Sequence, residues 1–104
     1  MGNSADIFEI PDNENTIVVL TKYQWQHILE RREYDFSKYL PNIKDVIQNP
    51  DIKGRKESHP DIKVYVQKNK KNRNSLSSYL VVYVDSNNMI RTALFKRKLE
   101  RIIQ

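Results

Sequence analysis

Residues 78–97, SYLVVYVDSNNMIRTALFKR, decide the fold. Two runs with a period of two flank Asp85-Ser86-Asn87-Asn88, residues whose side chains bond their own backbone and tolerate left-handed conformations. The stretch therefore predicts a tight antiparallel hairpin. Leu80, Val82 and Val84 form its core stripe, and Tyr79 and Tyr83 lie on the opposite face. Upstream, IKVYVQK (62–68) carries the same alternation, DIKGRKE (51–57) reads as an edge strand, and NKKNRNSLS (69–77) is a long polar loop. With Ile62, Val64 and Val66 pointing inward, Lys63, Tyr65 and Gln67 would join Tyr79 and Tyr83 on an open aromatic and basic face.

The period differs before residue 50. TIVVLT (16–21) is a β-branched run suited to a short strand paired with IFEI (7–10) across the turn PDNENT. Thr21 is placed to cap a helix opening at Lys22, in which Trp25, Ile28 and Leu29 make one apolar face. A second helix, capped by Asp35 or Ser37, aligns Tyr39 or Leu40 with Ile43, Val46 and Ile47. It tolerates Pro41 near its first turn and stops at Asn49-Pro50. The expected class is α+β: one or two short N-terminal strands, then two helices on one face of a roughly four-stranded antiparallel sheet. The tail KRKLERIIQ (96–104) has the spacing for a closing helix through Leu99, Ile102 and Ile103. One domain is expected over 1–104, with 1–15 a flexible lead-in or, through IFEI, an additional strand.

At 104 residues and 38% apolar content the chain can bury one core. It contains no cysteine, so thiolate metal sites and disulfides are excluded, and two histidines are too few for a histidine cluster. Neither a cofactor nor a metal is expected. No run reaches the ~18 apolar residues of a membrane span, so no membrane partner is expected, and a reducing cytoplasm fits the composition. The net charge of +5 is unevenly spread. Residues 1–50 carry five Lys/Arg against eight Asp/Glu, and residues 51–104 carry thirteen against five. A basic half of this kind favours an anionic partner, nucleic acid first, because neutralised phosphates release counterions.

On the first helix, Tyr23, His27, Glu30 and Arg31 form one stripe opposite Trp25, Ile28 and Leu29. An exposed polar stripe is the plainer reading of that pattern. The sharper one has His27 moving a proton near neutral pH and Arg31 binding a phosphate oxygen. Lys53, Arg55, Lys56 and His59 could grip a phosphodiester backbone or simply charge a sheet edge. Lys68, Lys70, Lys71 and Arg73 read as an electrostatic arm in the long loop. Thr92 and Lys96 share one face of the last strand with Ile90 and Leu94, and Arg91 and Arg97 lie on the other. With only Gly2 and Gly54, no glycine-rich phosphate loop can form.

TKYQWQHILERREYDFSKYLPNIKDVIQNPDIKGRKE (21–57) resembles the helical half of phage-associated nuclease-like domains grouped with barnase, EndoU, colicin and RelE-type toxins. In those domains a helical HI-x-x-RH segment precedes I-x-x-x-I-x-N-P-D. YLVVYVDSNNMIRTALFKRK (79–98) looks like that group's final hairpin, and the resemblance spans residues 16–98. It implies a metal-independent endoribonuclease-like fold in which a 2′-hydroxyl attacks the adjacent phosphate. The partners it implies are RNA, including tRNA or ribosome-associated RNA, and an immunity or antitoxin protein. Carried over by position, the helical histidine is His27, the arginine is Arg31 and the final-strand threonine is Thr92.

Around these, Lys96 and Arg55 are the expected phosphate stabilisers and Tyr65 a stacking platform or proton relay. Lys56, Lys68, Lys70, Lys71 and Arg97 complete the expected nucleic-acid surface. Where the pattern has a second histidine this chain has Arg32. Either His59, Lys56 or Tyr65 supplies the second proton transfer, or the domain binds without cleaving. The alternatives are a non-catalytic nucleic-acid-binding module and a protein-interaction domain.

Overall fold

The computed structural model describes residues 6–32, 35–68 and 79–104. In chain order, strands β1 (Asp6–Pro11) and β2 (Ile17–Thr21) lead into helix α1 (Lys22–Glu30). A single 3-10 turn (Ser37–Tyr39) runs into helix α2 (Leu40–Gln48). Five strands follow: β3 (Ile52–Lys56), β4 (Lys63–Lys68), β5 (Tyr79–Val84), β6 (Ile90–Lys96) and β7 (Ile102–Ile103). The class is α+β, with a two-stranded sheet β1-β2 beside a five-stranded antiparallel sheet in the order β6-β5-β4-β3-β7. No helix among the described residues is long and apolar enough to cross a membrane.

The same turn chemistry builds two of the hairpins. In the β1-β2 turn the Asn15 amide donates to the Asp12 carbonyl at 3.2 Å, and the Asp12 amide donates to the Thr16 carbonyl at 2.8 Å. In the β5-β6 turn the Asn88 amide donates to the Asp85 carbonyl at 3.0 Å, and the Asp85 amide to the Met89 carbonyl at 2.9 Å. Each aspartate side chain accepts two further turn amides, from Glu14 and Thr16 for Asp12 and from Asn87 and Met89 for Asp85. Asn15 (φ 66°) and Asn88 (φ 64°) adopt the left-handed backbone that closes each turn. An Asn15→Val protein should lose about 1–2 kcal/mol because a β-branched residue is strained there, whereas Asn15→Gly should be close to neutral. Thermal unfolding of the two variants side by side checks this, and equal losses would contradict it. The hairpins are also joined, since the Val19 amide donates to the Asn88 carbonyl at 2.9 Å.

Thr21 caps α1, its hydroxyl accepting the Gln24 amide at 3.1 Å. Trp25 and Ile28 of α1 and Ile43, Val46 and Ile47 of α2 pack with Phe8, Val18 and Leu20 of the small sheet. All of them cover one face of the large sheet, meeting Tyr65, Leu80, Val82, Val84, Ile90 and Ala93. On the far face Val64, Val66, Val81 and Tyr83 form a second apolar cluster, with Ile52, Leu94, Leu99 and Ile102 packed against it.

The large sheet has five strands rather than about four, the added one being β7, and the arrangement corrects three further expectations. In β4 it is Tyr65, opposite Val82, that faces the helices, whereas Val64 and Val66 face away. With apolar clusters on both faces, alternation could not say which side was inward. In β6 an irregularity at the start of the pairing separates Ile90, in the helix-side core, from Leu94 on the far face.

Third, residues 97–104 form no helix. They cross the far face as an irregular strap, bent at Arg97 and Lys98, and end in β7, which pairs with β3. The crossing from β6 to β7 covers four strand spacings, about 19 Å at ~4.8 Å each. The six steps from Lys96 to Ile102 reach about 20 Å fully extended, against about 9 Å as a helix. A helix over these residues falls well short of the crossing.

Candidate nucleic-acid interface

Helix α1 docks on the outer edge of the sheet through Gln24, whose side-chain amide donates to the backbone carbonyl of Arg91 in β6. Gln24, His27 and Arg31 follow one another along the helix at i, i+3 and i+7, so this contact sets His27 and Arg31 beside the β6 edge. Tyr23 is 78% exposed and stacks on the His27 ring, with centroids 6.2 Å apart and planes 6° from parallel. Arg31, at the end of α1, is exposed, and so is Arg91, whose guanidinium lies 3.9 Å from Asp85. Arg32 turns inward: its Nη2 donates to the Thr92 hydroxyl at 3.5 Å, and its carbon Cζ lies 6.0 Å from the Phe36 ring centroid. The Arg32 Nε is buried and has no hydrogen-bond partner among the described residues.

The other expected site residues are divided among different surfaces. Lys96 and Lys56 stand on the far face and converge on Glu100 of the strap, at 3.0 and 3.7 Å. The Tyr83 hydroxyl donates to the same carboxylate, and the Lys56 ammonium sits 4.7 Å from the Tyr83 ring centroid. Partial burial works against ionisation of Glu100, yet the bonds from Tyr83 and Lys96 win and hold its carboxyl below the usual range. Lys96 and Lys56 thus already face an anion, and among the described residues no hydrogen bond or ion pair joins His27 to Arg31, Thr92 or Lys96.

Tyr65 is fully buried, which corrects its assignment as a stacking platform. Its hydroxyl donates to Asp12 at 2.6 Å, and burial together with that bond pushes its pKa far up. A proton held this tightly makes Tyr65 unsuited to proton relay at neutral pH. Asp12 also accepts the Lys53 ammonium at 2.9 Å. Burial would raise the Asp12 carboxyl, but bonds from Tyr65, Lys53 and the turn amides together hold it far below the usual carboxylate range.

Arg55 is exposed and lies directly opposite Lys63 across the β3-β4 pair. Lys68 and Arg97 are exposed, and so is His59, whose Nδ1 lies 3.1 Å from the Ser58 hydroxyl. Lys70, Lys71 and Arg73 lie outside the described residues. Sequence reasoning missed Asp12 and Glu100 as organising carboxylates. The one available signal was that Asp12 and Asn15 repeat the spacing of Asp85 and Asn88. No protein-family model matches the chain, and comparison with curated proteins and with solved structures finds no match.

Proposed function

We propose that this chain is an RNA-binding domain that engages the phosphate backbone along the α1-β6 edge. The reading rests on one observation: the Gln24–Arg91 contact sets exposed Arg31, exposed Arg91 and the stacked Tyr23–His27 pair along a single sheet edge. Exposed cations beside a flat, solvent-facing ring are what an unpaired strand requires, charge for its phosphates and a π face for a base. Binding to a 5′-hydroxyl oligoribonucleotide should weaken as salt rises. The double variant Arg31→Gln/Arg91→Gln should bind about 5- to 20-fold more weakly with a shallower salt slope. Fluorescence anisotropy at several salt concentrations decides it, and an unchanged affinity and slope would remove this edge from the interface.

A second reading, RNA cleavage, is favoured by the Arg32–Thr92 contact at 3.5 Å. Those are the positions at which the nuclease-like group carries its second histidine and its final-strand threonine. Cleavage would proceed by attack of the 2′-hydroxyl, with His27 as base or acid and Arg31 or Arg32 stabilising the phosphate charge. Incubation with RNA and excess EDTA should then yield 2′,3′-cyclic phosphate ends, reduced at least about a hundredfold by His27→Ala. Intact RNA together with retained salt-sensitive binding would leave the binding function alone.

A further inference from the structure

A cleft of about 630 Å³ opens between the β1-β2 turn, β3, the start of β4 and β7. Three cations line it: Lys53 and Arg55 from β3, and Lys63 from β4. Lys53 is answered by Asp12 and Glu14. The other two are not, since among the described residues neither Arg55 nor Lys63 makes an ion pair with a carboxylate. Lys63 instead donates to the neutral Asn88 side-chain oxygen at 2.7 Å, its one side-chain hydrogen bond among the described residues. Arg55 and Lys63 are also directly paired across the strands, an arrangement that costs stability when both charges are alike. Arg55 and Lys63 therefore stand side by side at the mouth of the cavity with no carboxylate partner among the described residues.

We propose that this cleft binds a phosphomonoester of mononucleotide size. A phosphomonoester carries about −1.5 to −2 charges at neutral pH and offers several acceptor oxygens, matching a guanidinium fork and an ammonium together. The volume exceeds what one phosphate fills and falls within the ~300–1,000 Å³ of small-molecule sites. Thr16, Asn13 and Gln104 supply polar groups on the lining for the remainder of the ligand. Glu14, on the rim, and the Asp12 carboxylate behind Lys53 oppose an anion there. The proposal does not depend on RNA binding at the α1-β6 edge, which uses different residues.

The test is calorimetric titration of the full chain with adenosine 5′-monophosphate, inorganic phosphate and adenosine. The monophosphate is expected to bind, adenosine to fail, and inorganic phosphate to bind at least tenfold more weakly than the monophosphate. Arg55→Gln/Lys63→Gln should lose at least tenfold in affinity with its melting temperature kept. Glu14→Gln should gain severalfold, a change in the opposite direction that no folding defect produces. Equal binding to wild type and the double variant, or none at millimolar ligand, would overturn the site. Inorganic phosphate binding as tightly as the monophosphate would overturn the nucleotide-sized ligand. Because the RNA test uses a 5′-hydroxyl strand and variants at Arg31 and Arg91, either reading can fail without the other.

Discussion

An Asp12→Ala protein is expected to lose about 3–5 kcal/mol of stability, the usual cost of removing one member of a buried ionic network. The carboxylate is fully buried and holds four donors: the Tyr65 hydroxyl, the Lys53 ammonium and the amides of Glu14 and Thr16. Alanine leaves the Tyr65 hydroxyl without its acceptor inside the core and returns Lys53 to Glu14 and Asn13 at the surface. At roughly 4–8 °C per kcal/mol for a domain of this size, the melting temperature should fall by at least about 12 °C. Asp12→Asn keeps the shape and can still accept from the turn, so its loss should be smaller.

The pH dependence follows from the sign of the shift. The folded Asp12 carboxyl titrates below its unfolded value near ~3.9, so the unfolded chain takes up the proton first as pH falls. The contribution is therefore complete above about pH 5 and is lost progressively as acid carries the pH below the unfolded value. Denaturant unfolding of wild type and Asp12→Asn between pH 7 and pH 3 should show curves that converge toward the acid end. A constant gap across that range, or an Asp12→Ala loss under about 1 kcal/mol, would mean that the network contributes no more than a surface pair.

How much of this was legible in the sequence depended on how far apart the interacting residues lie. The Thr21 cap, the apolar faces of both helices and the Asp85–Asn88 turn are local, and composition and period specify them. Tyr65 was misplaced because both faces of β4 are covered, and because its buried partner Asp12 lies 53 residues away. Lys53 reads as one more basic residue in KGRKE until Asp12 and Glu14 are folded against it from 41 and 39 residues upstream. The same limit applies to the candidate interface. The helical stripe displays Tyr23, His27 and Arg31, but only the Gln24–Arg91 contact says which strand they stand beside. The strap was misread because its spacing suits a helix, and the distance between the edge strands overrides that local preference.

Gly54→Val should cost about 3 kcal/mol, the upper end of what overpacking a close-packed site costs, and should detach the strap. A Cβ at position 54 would stand 2.4 Å from the Ile103 carbonyl oxygen and 2.5 Å from a side-chain carbon of Ile102. The first of these is backbone, which cannot swing aside as a side chain does, so β7 must move off β3. β7 is only two residues long, so a small displacement leaves the pairing little on which to re-form. Leu99 and Ile102 then leave the apolar cluster around Val64, Val66 and Val81, and Glu100 leaves Tyr83, Lys96 and Lys56. Partly buried Glu100 holds an ionised carboxyl against desolvation only while those partners stay in place, so loss of the strap is cooperative rather than gradual. Amide exchange should show residues 98–103 opening well before the core in Gly54→Val but together with their neighbours in wild type, and limited proteolysis should clip the variant there. Glycine is thus the residue that lets the last strand lie flat on β3. Its replacement would also make Lys56 and Lys96 available to an external anion, so the variant should bind polyanions more tightly even as it becomes less stable. A Gly54→Val protein with wild-type exchange at 98–103 would show that β7 can shift without losing its pairing, and would refute the close-approach argument.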